Sequence, residues 1–355
     1  MARRAAGCLC EGTCVRPKVS TKQVGHAGPG GLQEDVASEG GALGDSPGNS
    51  GNIGQIRIGI SGWRYKGWRG VFYPPGLAQR RELEFAAEKF NTVEINGTFY
   101  SLQHHTSFQR WAAETPDDFV FAIKGSRFIT HMKKLRGIDQ AFANLLASGL
   151  LALGPKLGPM LWQFPPQMRF DRGRFGDFFR MLPRSTAAAA ELAKACDDRM
   201  LARSVLDATC DIQVRHAVEI RHESFVTPEF IELLRENHVG LVVADTVAWP
   251  LLLDVTSDLV YVRLHGSEEL YASGYSEQAL DLWARRVVMW ARGGTPSAVA
   301  GDGVEEPNPA RLVSRDQVEV RPRDVYVYFD NDAKVRAPFD ALQLRAKVDA
   351  LIGAS

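Results

Sequence analysis

Along the chain, short runs of β-branched and aromatic residues alternate with longer stretches whose apolar positions recur every three or four residues. The short runs predict eight strands, over 56–62, 92–96, 120–124, 160–164, 217–221, 241–245, 260–265 and 325–330. The longer ones predict helices over 82–90, 105–114, 137–153, 227–237, 276–292 and 337–352. Strict alternation favours a parallel sheet covered by helices, and eight strand–helix units in about 300 residues predict an α/β fold of the TIM-type (β/α)8 barrel class. The link between Asp245 and Leu259 is too short and irregular for a full helix, so one unit is expected to be degenerate. An open doubly wound sheet is the alternative.

Within the strands the period is two. Val93 and Ile95 alternate with Glu94 and Asn96, and Val218 and Ile220 alternate with Glu219 and Arg221. Val260, Val262 and Leu264 alternate with Tyr261, Arg263 and His265. The remaining strands place Lys124, Gln163, Asp245, and Tyr328 with Asp330, in matching positions. If the apolar side packs on the helices, the polar side converges inside the C-terminal mouth, where barrel enzymes carry their sites. Buried charges are tolerated when opposite signs pair or a ligand completes them. The set therefore reads either as a ligand site or as a self-neutralising plug of the barrel.

Two loops add candidates. SGWRYKGWRGVFYPP, after the first strand, gathers Trp63, Tyr65, Trp68, Phe72 and Tyr73 as a lid, a stacking platform for a flat ligand, or a cover for the end of the core. KGSRFITHMKKL, after the third, gathers Arg127, His131, Lys133 and Lys134, which suit a phosphate or carboxylate, or form a solvated basic helix start.

Composition narrows the classes. Of 355 residues 45% are hydrophobic and 24% charged, and 42 Lys+Arg balance 42 Asp+Glu, so the general basic footprint of a nucleic-acid binder is missing. No apolar run reaches the length of a membrane span, and nothing resembles a signal peptide, so a soluble cytoplasmic protein without a membrane partner is expected. Residues 1–55, rich in Gly, Ser, Pro and Asn, are expected to form a disordered tail, and 56–352 a single domain with a flexible insertion at about 293–323. Cys8, Cys10 and Cys14 fall in the tail and lack a fourth ligand for a zinc site. Cys196 and Cys210 are expected as reduced thiols in a helical region.

Several long motifs in order, GISGWRYKGWRGVFYP, FNTVEINGTFYSL, FAIKGSRFITHMKKL, LGPMLWQFPP, AVEIRHESF, VRLHGSEELYASGYS and VYFDNDAKVRAPFDAL, resemble the YecE-like family, domain of unknown function 72. The resemblance runs from about 56 to 351 and implies a TIM-type barrel without a defined reaction. Carried over residue by residue, it marks Ser61, Trp63, Tyr65, Trp68, Glu94, Lys124, Thr130, His131, Gln163, Glu219, Arg221, Arg263, His265, Tyr271, Tyr275 and Asn331. Here the eighth strand ends FDND, where many members read closer to FNN followed by His.

Together these readings predict an enzyme acting by acid–base chemistry on a small anionic or polyhydroxylated ligand. Glu94 or Glu219 serves as acid or base, Lys124, Arg221 and Arg263 hold negative charge, and His265 relays a proton. Asn96, Arg127, Asp245 and Tyr328 join the binding set. No cofactor is predicted. A divalent metal on Glu94, Glu219, Asp245 and His265 is a variant with competing cations against it. A nucleic-acid-binding or processing barrel and a non-catalytic small-molecule binder are the alternatives.

Overall fold

The computed structural model of the chain describes residues 53–201, 203–266, 269–296, 309–310, 312 and 318–354. Eight parallel strands close into a barrel: β1 (Ile56–Ser61), β2 (Thr92–Ile95), β3 (Val120–Lys124), β4 (Leu157–Gln163), β5 (His216–Glu219), β6 (Gly240–Asp245), β7 (Leu259–Leu264) and β8 (Asp324–Phe329). Closure rules out the open sheet, because β1 pairs with β8 from Ile56↔Val325 to Ile60↔Phe329. The expected strands are all present, with ends displaced by a few residues.

The outer layer holds the longer helices α1 (Glu82–Lys89), α2 (His105–Ala113), α3 (Asp139–Ala147), α4 (Arg172–Met181), α5 (Thr186–Ala193), α6 (Pro228–Glu236), α7 (Glu277–Ala291) and α8 (Ala337–Gly353). Their starts are written locally. Thr227 caps α6 by accepting from the Phe230 N–H, with Pro228 opening the first turn, and Ser276 caps α7 through the Ala279 N–H. Between β6 and β7 no helix forms. Instead Leu251–Leu252 pairs with Pro309–Ala310 from the expected insertion, and the Leu312 N–H donates to Asp254.

Alternation decides what lies inside. Val93, Ile95, Val218, Val260 and Val262 face the helices, whereas Val120, Ala122, Leu161, Ala217, Val242, Ala244, Tyr261 and Tyr328 fill the barrel. The Tyr261 and Tyr328 rings pack 5.1 Å apart in this interior, beside positions kept small at Ala122 and Ala217. Gly59 is part of the same economy, since a Cβ there would lie 2.0 Å from the Thr92 carbonyl oxygen.

The expected tail lies outside the described residues except for 53–55, which are packed: the Gly54 N–H donates to the Ala291 carbonyl and the Gln55 N–H to Asp324. Cys8, Cys10 and Cys14 lie outside the described residues too. Cys196 and Cys210 carry free thiols but occupy loop rather than helix, because α5 ends at Ala193. Among the described residues no helix is long and apolar enough to cross a membrane.

Candidate functional site

The inward residues at the C-terminal strand ends meet around one side chain. Arg263, fully buried on β7, donates through Nε and Nη2 to Glu94 at 3.1 and 2.9 Å, through Nη1 to Glu219 at 2.6 Å, and through Nη2 to Asp330 at 2.8 Å. Three carboxylates from three strand ends thus share one guanidinium, whose planar fork is suited to such multidentate contacts. Each glutamate is further satisfied. Glu94 accepts from the Tyr261 and Ser61 hydroxyls at 2.7 and 2.5 Å, and Glu219 accepts from Gln163 and from Arg221 Nε, both at 2.8 Å. Asn96 closes the cluster by donating to Ser61 Oγ at 3.0 Å.

Burial by itself would raise the Glu219 carboxyl, yet Arg263 and Arg221 override it and hold the group well below the usual carboxylate range. Asp330 is lowered by the same contest, with Arg263 prevailing over burial. Glu94 and Glu219, the expected acid and base, thus lie beneath the site with their oxygens engaged by Arg263, Tyr261, Ser61, Gln163 and Arg221. His265 lies equally deep, its ring 5.4 Å from both Trp249 and Tyr271, with Nδ1 3.2 Å from Asp330 and Nε2 3.6 Å from Glu219.

Above this floor opens a cavity of about 860 Å³, in the size range of small-molecule sites. Trp63, Tyr65, Asn96, Lys124, Arg127, His131, Gln163, Arg221 and Tyr271 line it, so nine of the expected residues share one concave surface. Local structure explains their placement. Gly62 takes φ +84°, and Tyr65 folds back so that its hydroxyl donates to the Ser61 carbonyl at 2.5 Å. His131 sits in a π-helical turn, Phe128–Met132, a departure from α geometry that recurs at functional sites. Tyr271 is held at φ +63°, its N–H donating to the His265 carbonyl and its own carbonyl accepting from Ala333.

The electrostatics of the lining are mixed. Lys124 is pushed down by burial and by the nearby Arg263 guanidinium. His131 is lowered to about 4 by burial and by Arg221, Lys124 and Arg127, which makes it neutral at ordinary pH. Asp332 is raised to about 6 by burial and by the charge of Asp330.

Other expected residues fall elsewhere. Asp245 is corrected, because Ala244 takes the inward position opposite Arg263 and Asp245 turns outward to accept from Trp283 Nε1 at 3.1 Å. Trp68 is buried against Tyr65, Phe72 and Tyr73 and belongs to the core. Tyr328 lies below the cavity, its hydroxyl bonded to Thr92 at 2.7 Å. Tyr275 accepts from the Gly266 N–H, and Asn331 donates to the Ser273 carbonyl and Asp340, so both brace the loops that follow β7 and β8. The metal variant loses its ligand set: Arg263 bridges the two glutamates and Asp245 faces away. Among the described residues no group of three His, Cys, Asp or Glu is disposed to hold a metal ion.

Sequence reasoning missed Phe99, Tyr100, Trp111 and Asp332, all of which line the cavity. Trp111 stands edge-on to Trp63 at 5.3 Å, and Tyr100 stacks under Arg127 at 5.5 Å. The short helix Gly97–Tyr100, a face of α2 and the turn after β8 supply them, where strand alternation has no say.

Two comparisons of sequence bear on this chain. It is 29% identical over 116 residues to the UPF0759 protein YunF of Bacillus subtilis, covering 31% of the chain and 40% of the relative. To YecE of Escherichia coli K12 it is 33% identical over 110 residues, 31% of the chain and 38% of the relative. The chain thus spans about 40% of the length of these relatives. In structure it is similar to a DUF72 family protein of Thermotoga maritima (TM-score 0.59, 24% identity, 83% of this chain and 99% of that one). It is also similar to one of Enterococcus faecalis (TM-score 0.54, 17% identity, 83% and 96%). These structures share the barrel. The sequence model described as protein of unknown function DUF72 matches residues 57–353, from β1 through α8, and by that match the chain belongs to the DUF72 family.

Proposed function

We propose that this protein is an enzyme that binds a small anionic or polyhydroxylated molecule at the C-terminal mouth of the barrel and acts on it by acid–base chemistry. The observation that carries the reading is that Lys124, Arg127 and Arg221 share one cavity with Asp332, a carboxyl raised to about 6. The two guanidiniums suit an anion, and Asp332 exchanges protons near neutral pH, as a general acid or base must. The Arg263 cluster serves as a rigid floor and Trp63, Tyr65 and Trp111 as apolar walls. No cofactor enters the proposal. The free thiols of Cys196 and Cys210 suit a cytoplasmic setting.

A thermal-shift screen of inorganic sulfate and phosphate, sugar phosphates and sugar acids tests the reading. Stabilisation by phosphorylated or carboxylated compounds, lost in Arg221→Gln and Arg127→Gln, supports it. No response to any anion overturns it.

One observation favours a second reading, a nucleic-acid-binding or processing barrel. Tyr100 is 66% exposed with Arg127 over its ring, an arrangement that can stack a base and hold a phosphate. Salt-sensitive binding of a labelled oligonucleotide, weakened by Tyr100→Ala, would support that reading.

A further inference from the structure

Among the described residues two lysines are buried, Lys124 and Lys156, and they differ in one respect. Lys156 donates from Nζ to the Ala112 carbonyl at 2.6 Å and to the Thr115 carbonyl and hydroxyl at 2.8 and 3.4 Å, the saturated state of a structural ammonium. Lys124 has no hydrogen-bond acceptor and no ion pair among the described residues. Its Nζ lies 4.8 Å from the Phe99 ring centroid, and the side chain lines the cavity. Glu94, Glu219 and Asp330 are close enough for Lys124 to feel their charge, but all three are bound to Arg263. The backbone beneath it is fixed: its carbonyl accepts from Thr98 Oγ1 at 2.6 Å, and a Cβ on Gly125 would lie 2.4 Å from Trp162. An amine held in an apolar-walled site beside a guanidinium, with no counterion of its own, is disposed to lose its proton and act as a nucleophile.

We infer that Lys124 forms an imine with a small aldehyde or ketone carrying a phosphate or carboxylate. The inference rests on the anion-binding reading above and adds a covalent step to it. The amine lone pair attacks the carbonyl carbon, the carbon–oxygen π pair moves to oxygen, and both amine protons leave with that oxygen as water as the C=N bond forms. Arg221, Arg127 and neutral His131 share the cavity and hold the anionic end. Asp332 is the carboxyl there that can donate a proton to the departing hydroxyl.

Trapping by borohydride reads the step directly. The full chain is treated near neutral pH with limiting pyridoxal 5′-phosphate, whose aldehyde, ring and phosphate match the cavity, or with the smaller glyoxylate, then reduced with sodium borohydride and mapped by peptide mass. The expected result is labelling at Lys124 at least about tenfold over any exposed lysine, because its amine has no acceptor holding the proton and the cavity seats the anionic end beside it. Lys124→Met should lose that fast adduct, and if this variant does not fold, the map of the unsubstituted chain decides. Labelling at Lys124 no faster than at exposed lysines, or none there with either aldehyde, overturns the inference. Sulfate stabilisation in the same preparation separates the two levels: sulfate binding without the adduct removes the imine and leaves the anion site, and loss of both removes both.

Discussion

Glu219 and Arg221 leave the end of β5 two residues apart on the same side, and Arg221 reaches back to grip Glu219 with Nε at 2.8 Å and Nη2 at 2.7 Å. Arg221 also lies 3.9 Å from the centroid of the Trp249 ring and lines the cavity, whereas Glu219 is wholly buried. The pair thus joins floor to cavity. If Arg221 is removed, Glu219 keeps Arg263 and Gln163; if Arg263 is removed, three carboxylates lose their principal partner.

The two arginines should therefore respond differently to truncation. Arg263→Ala leaves Glu94, Glu219 and Asp330 buried around an empty space and should cost about 4 kcal/mol or more, enough to endanger folding. Arg221→Ala should cost less than about 2 kcal/mol, because its partner stays satisfied and water can enter from the cavity. Urea unfolding of both variants checks this. A loss above about 3 kcal/mol for Arg221→Ala would mean that it is part of the plug and not of a binding site.

The strands and the mouth were legible because alternation over 92–95, 218–221 and 260–265 separates apolar from polar positions. Asp245 was misread for a definite reason. GLVVA before it is apolar at both parities, as a strand covered on both faces should be, so the pattern carries no phase and the register with β7 decides. The gathering of three carboxylates on Arg263 was not legible either, since it depends on distances across the barrel. The split within the aromatic loop, Trp63 to the cavity and Trp68 to the core, depends on loop geometry that has no period.

The contrast between an aromatic ring in the core and one on the rim of the cavity can be measured. Trp68 is about as buried as a residue can be, and Trp68→Ala should cost about 3–5 kcal/mol through lost burial and a large cavity. Tyr100, on the rim, should tolerate Tyr100→Ala within about 0.5 kcal/mol. Equal losses in thermal or urea melts would contradict the assignment of one ring to the core and the other to the ligand.

Asp332 offers a stability test with a definite sign. Its carboxyl is raised to about 6 by burial and by Asp330, so the folded protein disfavours its charged form. Such a group lowers stability as pH rises from the unfolded carboxyl value through about 6, and above that the penalty is complete. Asp332→Asn removes it and should stabilise the protein by about 1–3 kcal/mol at about pH 7.5, with the gain vanishing near about pH 4. A variant less stable than the parent at neutral pH would show that the ionised carboxylate is wanted in the fold.

The same residue should set the pH dependence of anion binding. As pH falls from about 7.5 to about 5.5, Asp332 takes up a proton, and the cavity holding Lys124, Arg127 and Arg221 loses a negative charge. Sulfate stays doubly charged over this range and should bind about three- to tenfold more tightly at the lower pH, a Coulombic effect reduced by solvent and salt. His131, lowered to about 4, remains neutral in the window, and Asp330, held down by Arg263, remains charged. Lys124 is the competing source of such a trend, since a depressed amine also gains its proton as pH falls. Asp332→Asn separates the two: with Asp332 responsible, the variant binds sulfate with the tighter affinity at both pH values and the slope disappears. A slope that persists in Asp332→Asn transfers the effect to Lys124, and a flat profile in the unsubstituted protein shows that Asp332 does not sense the bound anion. Calorimetric titration with sulfate at the two pH values, at fixed ionic strength, distinguishes the three results.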